Sequence, residues 1–165
     1  MLYLKTQTRS HSVATHRALE AADGYLYLGL PDEALGEFGA IPAVERKYAS
    51  VMLAEIRVLL HMKQWKRAET LSARGGELHP EEDEFTVQRV FALHQLEKGE
   101  EAFRVLLSAP EWIRRTGILH YNLACYEARL GDINTARRCI DAAIEINSAI
   151  KKNARSDPDL AALWN

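Results

Sequence analysis

The chain has 165 residues, enough for one well-buried core, and its 21 Lys and Arg against 23 Asp and Glu leave no positive excess for phosphate-backbone binding. Two Cys do not make a disulfide framework. The opening MLYLKTQTRSHS holds only Leu2, Tyr3 and Leu4 as an apolar run, too short for a signal peptide, and no membrane-length apolar segment follows; a soluble cytoplasmic chain is expected, with no nucleic-acid and no membrane partner.

Residues 1–14 read as an N-terminal arm. From there apolar residues fall at helical spacing on both sides of a short break, and the pattern repeats. In the first unit Leu19, Ala22, Tyr25 and Leu28 precede the break Gly29-Leu30-Pro31, and Ala34 and Phe38 follow it. Pro42 should end that second helix about a turn early, because the residue before Pro avoids the helical region. The second unit runs through Leu53, Leu59 and Met62, breaks at Lys63-Gln64-Trp65, and resumes at Ala68. Its Pro80 comes later and allows a longer helix. In GGELHPEEDEF the acids Glu81 to Glu84 open the next helix, where the helix dipole favours negative charge; no calcium-loop pattern accompanies them. The third unit has Val87, Leu93 and Leu96, the break Glu97-Lys98-Gly99, then Ala102, Leu106 and another early Pro110. The fourth, YNLACYEARLGDINTARRCIDAAIEI, breaks at Gly131-Asp132-Ile133, with Gly131 suited to a left-handed helix end and Asp132 to capping the next helix.

These units stand in register. Steps of 34 residues give the columns Ala34, Ala68, Ala102, Ala136; Leu28, Met62, Leu96, Leu130; Val44, Leu78, Trp112, Ile146; and Leu19, Leu53, Val87, Tyr121. A fixed period of this size is the signature of stacked helix–turn–helix units, four of them covering residues 15–150. The Ala column marks where two antiparallel helices approach to roughly 8–10 Å beside their turn. Residues 151–165 then form a C-terminal cap: an array leaves its last hairpin open on one side, and Leu160, Leu163 and Trp164 are expected to fold back over it near Glu127 and Ile150.

At Leu123, Ala124, Gly131, Ala136, Ile140 and Ala143 the chain resembles the tetratricopeptide repeat family. The first unit matches through Ala21, Ala22, Tyr25, Gly29, Ala34 and Phe38, the second through Trp65, Ala68 and Pro80, the third through Leu93, Ala102 and Leu106. Glu55, Arg89, Ile56, Val90 and Glu127 depart from the family pattern and predict looser or shifted packing in the middle units. The resemblance implies an all-α, right-handed superhelix, a solenoid of four stacked repeats whose first helices line a concave groove. Family members bind a peptide or helix of another protein there. Carried across, the groove residues are His16, Glu20, Asp23 and Tyr27; Arg57 and His61; Gln88, Phe91, His94 and Gln95; and Asn122, Cys125 and Arg129. A basic ligand end would face Glu20 and Asp23, an acidic end Arg129. The family's carboxylate clamp of Lys, Asn and Arg is absent, since the comparable row begins Leu19, Asp23, Leu53, Ala54.

The residues offer little chemistry. None of the six His makes zinc-protease spacing, Cys125 has His120 five residues upstream off the same helical face, and Gly75-Gly76 lacks the Lys and Ser/Thr of a phosphate loop. No enzyme activity, no cofactor and no metal is expected. Arg46-Lys47 and Arg114-Arg115 read as solvated residues near helix ends, or as a basic rim for an acidic partner. The expected function is non-catalytic protein–protein recognition. The alternatives are a secretion chaperone, which would dimerise through its N-terminal segment, and an RNA-binding helical repeat. Against RNA stands the column Asp23, Arg57, Phe91, Cys125, which is no base-reading code.

Overall fold

The computed structural model describes residues 11–111 and 116–164. Trp112, Arg114 and Arg115 lie outside the described residues, as do residues 1–10 of the expected arm. No strand occurs among the described residues. The chain divides into two compact units, residues 1–85 and 86–165, each taken by itself below.

Among the described residues eight helices pair as four hairpins: α1 (Val13–Tyr27) with α2 (Pro31–Glu37), α3 (Ala49–His61) with α4 (Trp65–Leu78), α5 (Glu84–Gln95) with α6 (Gly99–Leu107), and α7 (Gly117–Leu130) with α8 (Ile133–Ile146). A ninth, α9 (Ile150–Ser156), and a 3-10 segment (Pro158–Leu163) close the described chain. All four Ala of the 34-residue column are buried. The early prolines act as expected: α2 has 7 residues and α6 has 9, against 14 each for α4 and α8.

The four turns share one backbone solution. Gly29, Lys63, Glu97 and Gly131 have φ of 73°, 55°, 58° and 86°, so each stands in the left-handed region at the same place in its repeat. The next residue's amide closes on the helix it leaves: Leu30 N donates to Tyr25 O, Gln64 to Leu59, Lys98 to Leu93 and Asp132 to Glu127, all at 2.8–2.9 Å. This is a Schellman ending, which satisfies carbonyls that a helix terminus otherwise leaves bare. Two of the four positions are Gly, for which the conformation is unstrained; Lys63 and Glu97 hold it against steric cost. The carbonyl after each turn accepts from the column Ala, starting the second helix. Asp132 adds a side-chain cap, accepting from Thr135 N at 3.0 Å.

In the first unit Ala18, Ala22, Ala34, Phe38, Ile41, Val51 and Val58 form one buried cluster, with Tyr25 and Tyr48 packed on its margin. Ser12 caps α1, and Glu45 accepts from both the Ser12 amide and hydroxyl at 3.1 Å. Hydrogen bonds from Thr15 and Ser12 hold the Glu45 carboxyl below its ordinary range. Helix α1 thus starts within the segment read as the arm, and His11 stacks on Tyr48. Arg46 donates to Ile41 O and Gly39 O, so it staples the loop that Pro42 opens. Ile56 is fully buried rather than a source of slack, whereas burial raises the half-buried Glu55 carboxyl, with Arg67 and Arg46 opposing. Phe85, fully buried, lies over Gly75 and stacks on His79.

In the second unit Val90, Leu93, Ala102, Leu106 and Leu119 make the third hairpin's core. The fourth hairpin's cluster joins Ala124, Cys125, Ala136, Ile140 and Ala143 to Ala154, Leu160 and Leu163. Helix α9 begins at Ile150, within one residue of a repeat after α7 begins at Gly117, as a fifth first helix would. Pro158 ends it, with Asp157 extended as a residue before Pro prefers. The chain then packs back mainly against α7. The expected fold-back is present, and Ile150 lies beside it. Trp164 donates from Nε1 to Ala154 O at 3.0 Å, so the end of the chain is fastened. The columns beside the turns and at the far helix ends are more exposed than their apolar character suggests: Leu28, Leu130, Val44, Leu78 and Ile146 face solvent.

Candidate functional site

The first helices carry the candidate residues, and the two units treat them differently. In the first unit α1 presents His16, Glu20, Asp23 and Tyr27, and α3 presents Arg57 and His61; all six are exposed. On α1, helical spacing puts its four residues on the face away from Ala18 and Ala22. Asp23 and Arg57, one repeat apart, form an ion pair across the two hairpins. His16 lies 3.3 Å from Glu20, and His61 contacts the Arg57 carbonyl at 3.0 Å. Pairs this exposed contribute little stability, because solvent screens them. Tyr27 is 92% exposed at the end of α1, with its whole ring offered to solvent.

In the second unit the same columns are partly covered. Phe91 remains 43% exposed, and Gln95 and Arg129 are also exposed; Gln88 and Asn122 are half-buried. His94 Nε2 sits 3.1 Å from Asp159 Oδ2. Cys125 departs from the expectation of a groove-lining residue: it is only 2% exposed. Leu160 and Leu163 complete the cluster around it, and its sulfur lies 3.7 Å from Asp157 Oδ2. The Tyr121 hydroxyl donates to that same carboxylate oxygen. Asp157 Oδ1 accepts the Asp159 amide at 2.9 Å.

The electrostatics follow from this enclosure. Burial raises the Cys125 thiol well above its ordinary value, and the charges of Asp157 and Asp159 push it further. Burial and the Asp157 hydrogen bond raise the Tyr121 hydroxyl likewise. Cys139 on α8 is raised by burial, then by Glu127. A thiol held protonated at neutral pH is a poor nucleophile, so neither cysteine is activated for covalent chemistry. Tyr121, Asp157 and Asp159 belong to this arrangement but carried no signal at the level of sequence spacing, since the tail meets α7 only in the fold. A cavity of about 700 Å³ opens at Tyr121, lined also by Gly117, Ile118, Ile146 and Ile150 among others. No helix among the described residues is long and apolar enough to cross a membrane.

No family model matches the chain. No curated protein matches it either. Solved structures do. MamA (41 to the end) of Desulfovibrio magneticus RS-1 superposes with a TM-score of 0.77 at 14% identity, covering 93% of this chain and 85% of that one. A MamA structure from MSR-1 gives 0.67 at 18% identity over 80% and 76%. YrrB, described as a TPR protein with an unusual peptide-binding site, gives 0.66 at 13% identity over 94% and 84%. Together with the 34-residue register, the shared turns and the paired helices, these similarities show that the chain has the all-α tetratricopeptide-repeat fold.

Proposed function

We propose that the chain is a non-catalytic recognition module that binds a short segment of another protein on the first-helix face of its first unit. The observation that carries the reading is the contrast between units. His16, Glu20, Asp23, Tyr27, Arg57 and His61 are open to solvent, while the C-terminal segment closes over Cys125 and engages His94. A fully exposed Tyr beside charges of both signs suits an anchor-and-flank mode of peptide capture. The binding face therefore narrows to the first unit's two first helices. The fold shared with YrrB supports the general reading, because that protein's described site takes a peptide.

The test is a displayed peptide library panned against the full chain, followed by affinities for variants. Tyr27→Ala and Arg57→Ala should weaken the selected ligand by about 1–4 kcal/mol each, as hot-spot residues do. Arg138→Ala, exposed on second helix α8, should do little. Equal affinities across the three folded proteins would exclude this face as the binding site.

A further inference from the structure

The fold-back gathers four side chains with metal-binding atoms from three elements of the second unit. Cys125 comes from α7, Asp157 and Asp159 from the C-terminal segment, and His94 from α5. A ligand atom of each of Cys125, Asp157 and Asp159 lies within 4.8 Å of the other two. His94 Nε2 stands 3.1 Å from Asp159 Oδ2. We propose that this cluster is a zinc site, with Cys125, Asp157, Asp159 and His94 as its ligands.

The donor set selects the metal. One sulfur, one imidazole nitrogen and two carboxylates suit zinc, whereas calcium and magnesium take oxygen cages. With bonds of roughly 2.0–2.3 Å, neighbouring ligands of a tetrahedral zinc stand roughly 3.3–3.8 Å apart. The 3.7 Å Cys125 Sγ–Asp157 Oδ2 contact matches that spacing; the three atoms lie within 4.8 Å of one another, and His94 reaches the group through Asp159, so closure asks for side-chain rotation, most of all at His94. Outer hydrogen bonds already orient Asp157: Tyr121 donates to Oδ2 and the Asp159 amide to Oδ1. Such partners fix a ligand's geometry in known metal sites. A thiolate formed beside these two carboxylates would be repelled by them, and a divalent cation between the three turns that repulsion into coordination. Binding displaces the thiol proton to solvent. The metal would also tie the C-terminal segment to α5 and α7, so occupancy reports on whether that segment is seated.

The experiment strips the full chain with a chelator, then titrates it with zinc chloride by calorimetry and with cobalt chloride by absorption spectroscopy. Saturable zinc binding near one equivalent is expected, and a sulfur-to-cobalt charge-transfer band. Cys125→Ser should abolish that band and weaken zinc at least about tenfold, in line with the loss from disturbing a metal's surroundings. Cys139→Ser should leave both unchanged. Asp159→Asn and His94→Gln should weaken zinc in the same sense, and they decide the matter if Cys125→Ser does not fold. Absence of saturable zinc binding, equal affinity for calcium, or binding indifferent to all three cluster variants would overturn the site and leave a hydrogen-bonded latch.

Discussion

Gly75 and Gly76 are neighbours in α4, yet an added methyl group meets different surroundings at each. At Gly76 a Cβ would stand 3.8 Å from the nearest atom, Phe85 Cβ, which is ordinary contact. Ala there should stabilise by roughly 0.5–1 kcal/mol, the usual gain over Gly inside a helix. At Gly75 the Cβ would stand 2.2 Å and 2.3 Å from Phe85 Cε1 and Cδ1. Ordinary carbon contacts lie near roughly 3.5–4.0 Å, so the ring must retreat by more than about 1 Å. Phe85 is fully buried and stacked on His79, which leaves it nowhere easy to go. Overpacking of this kind costs roughly 1–3 kcal/mol, and the helix gain offsets only part of it. Gly75→Ala should therefore be destabilised by about 1–2 kcal/mol net. Urea unfolding followed by circular dichroism reads both variants as midpoint shifts of opposite sign. Coupling to Phe85→Leu in a double-mutant cycle should recover part of the Gly75→Ala loss. Equal midpoints for the two Ala variants would refute the placement of Phe85 over Gly75.

The other predictions concern the tail, the turns and the start of the chain. Leu160→Ala removes a fully buried side chain and should cost about 2–5 kcal/mol in a thermal melt; an unchanged melt would put the segment outside the core. Glu97→Gly relieves a left-handed residue whose strain is roughly 1–2 kcal/mol, against a chain-entropy cost of up to about 1, so the variant should be as stable or up to about 1 kcal/mol more stable. Clear destabilisation would contradict the turn. The lowered Glu45 carboxyl contributes stability above its ordinary value of 4.5, and that contribution is lost as pH falls through the lower folded value. The parent should thus lose more stability than Glu45→Gln as pH falls below 4.5; parallel pH profiles would show the Ser12–Glu45 contact to be unimportant.

Much of the fold was legible because close packing repeats. The four Ala at one spacing reported four helix contacts, and Gly29 and Gly131 reported two of the turns. Lys63 and Glu97 hid the other two, since nothing in their side chains announces a positive φ; the register alone carried them. The exposed surface was less legible. The column Asp23, Arg57, Phe91, Cys125 looks uniform along the sequence, but its last member is buried by residues more than 30 positions away. Leu160 and Leu163 carried the fold-back over the fourth hairpin, but not that it would bring Asp157 and Asp159 to a cysteine. The pairing of Asp23 with Arg57 was hidden for a related reason: opposite charges one repeat apart meet only once the hairpins stack.

Amide hydrogen exchange on the complex with a library-selected peptide shows which helices the ligand covers. Exchange should slow in Val13–Tyr27 and Ala49–His61, the two first helices of the first unit, with Trp65–Leu78 and Ile133–Ile146 unaffected. Protection confined to those second helices, with α1 and α3 exchanging as in the free chain, would contradict binding on the first-helix face.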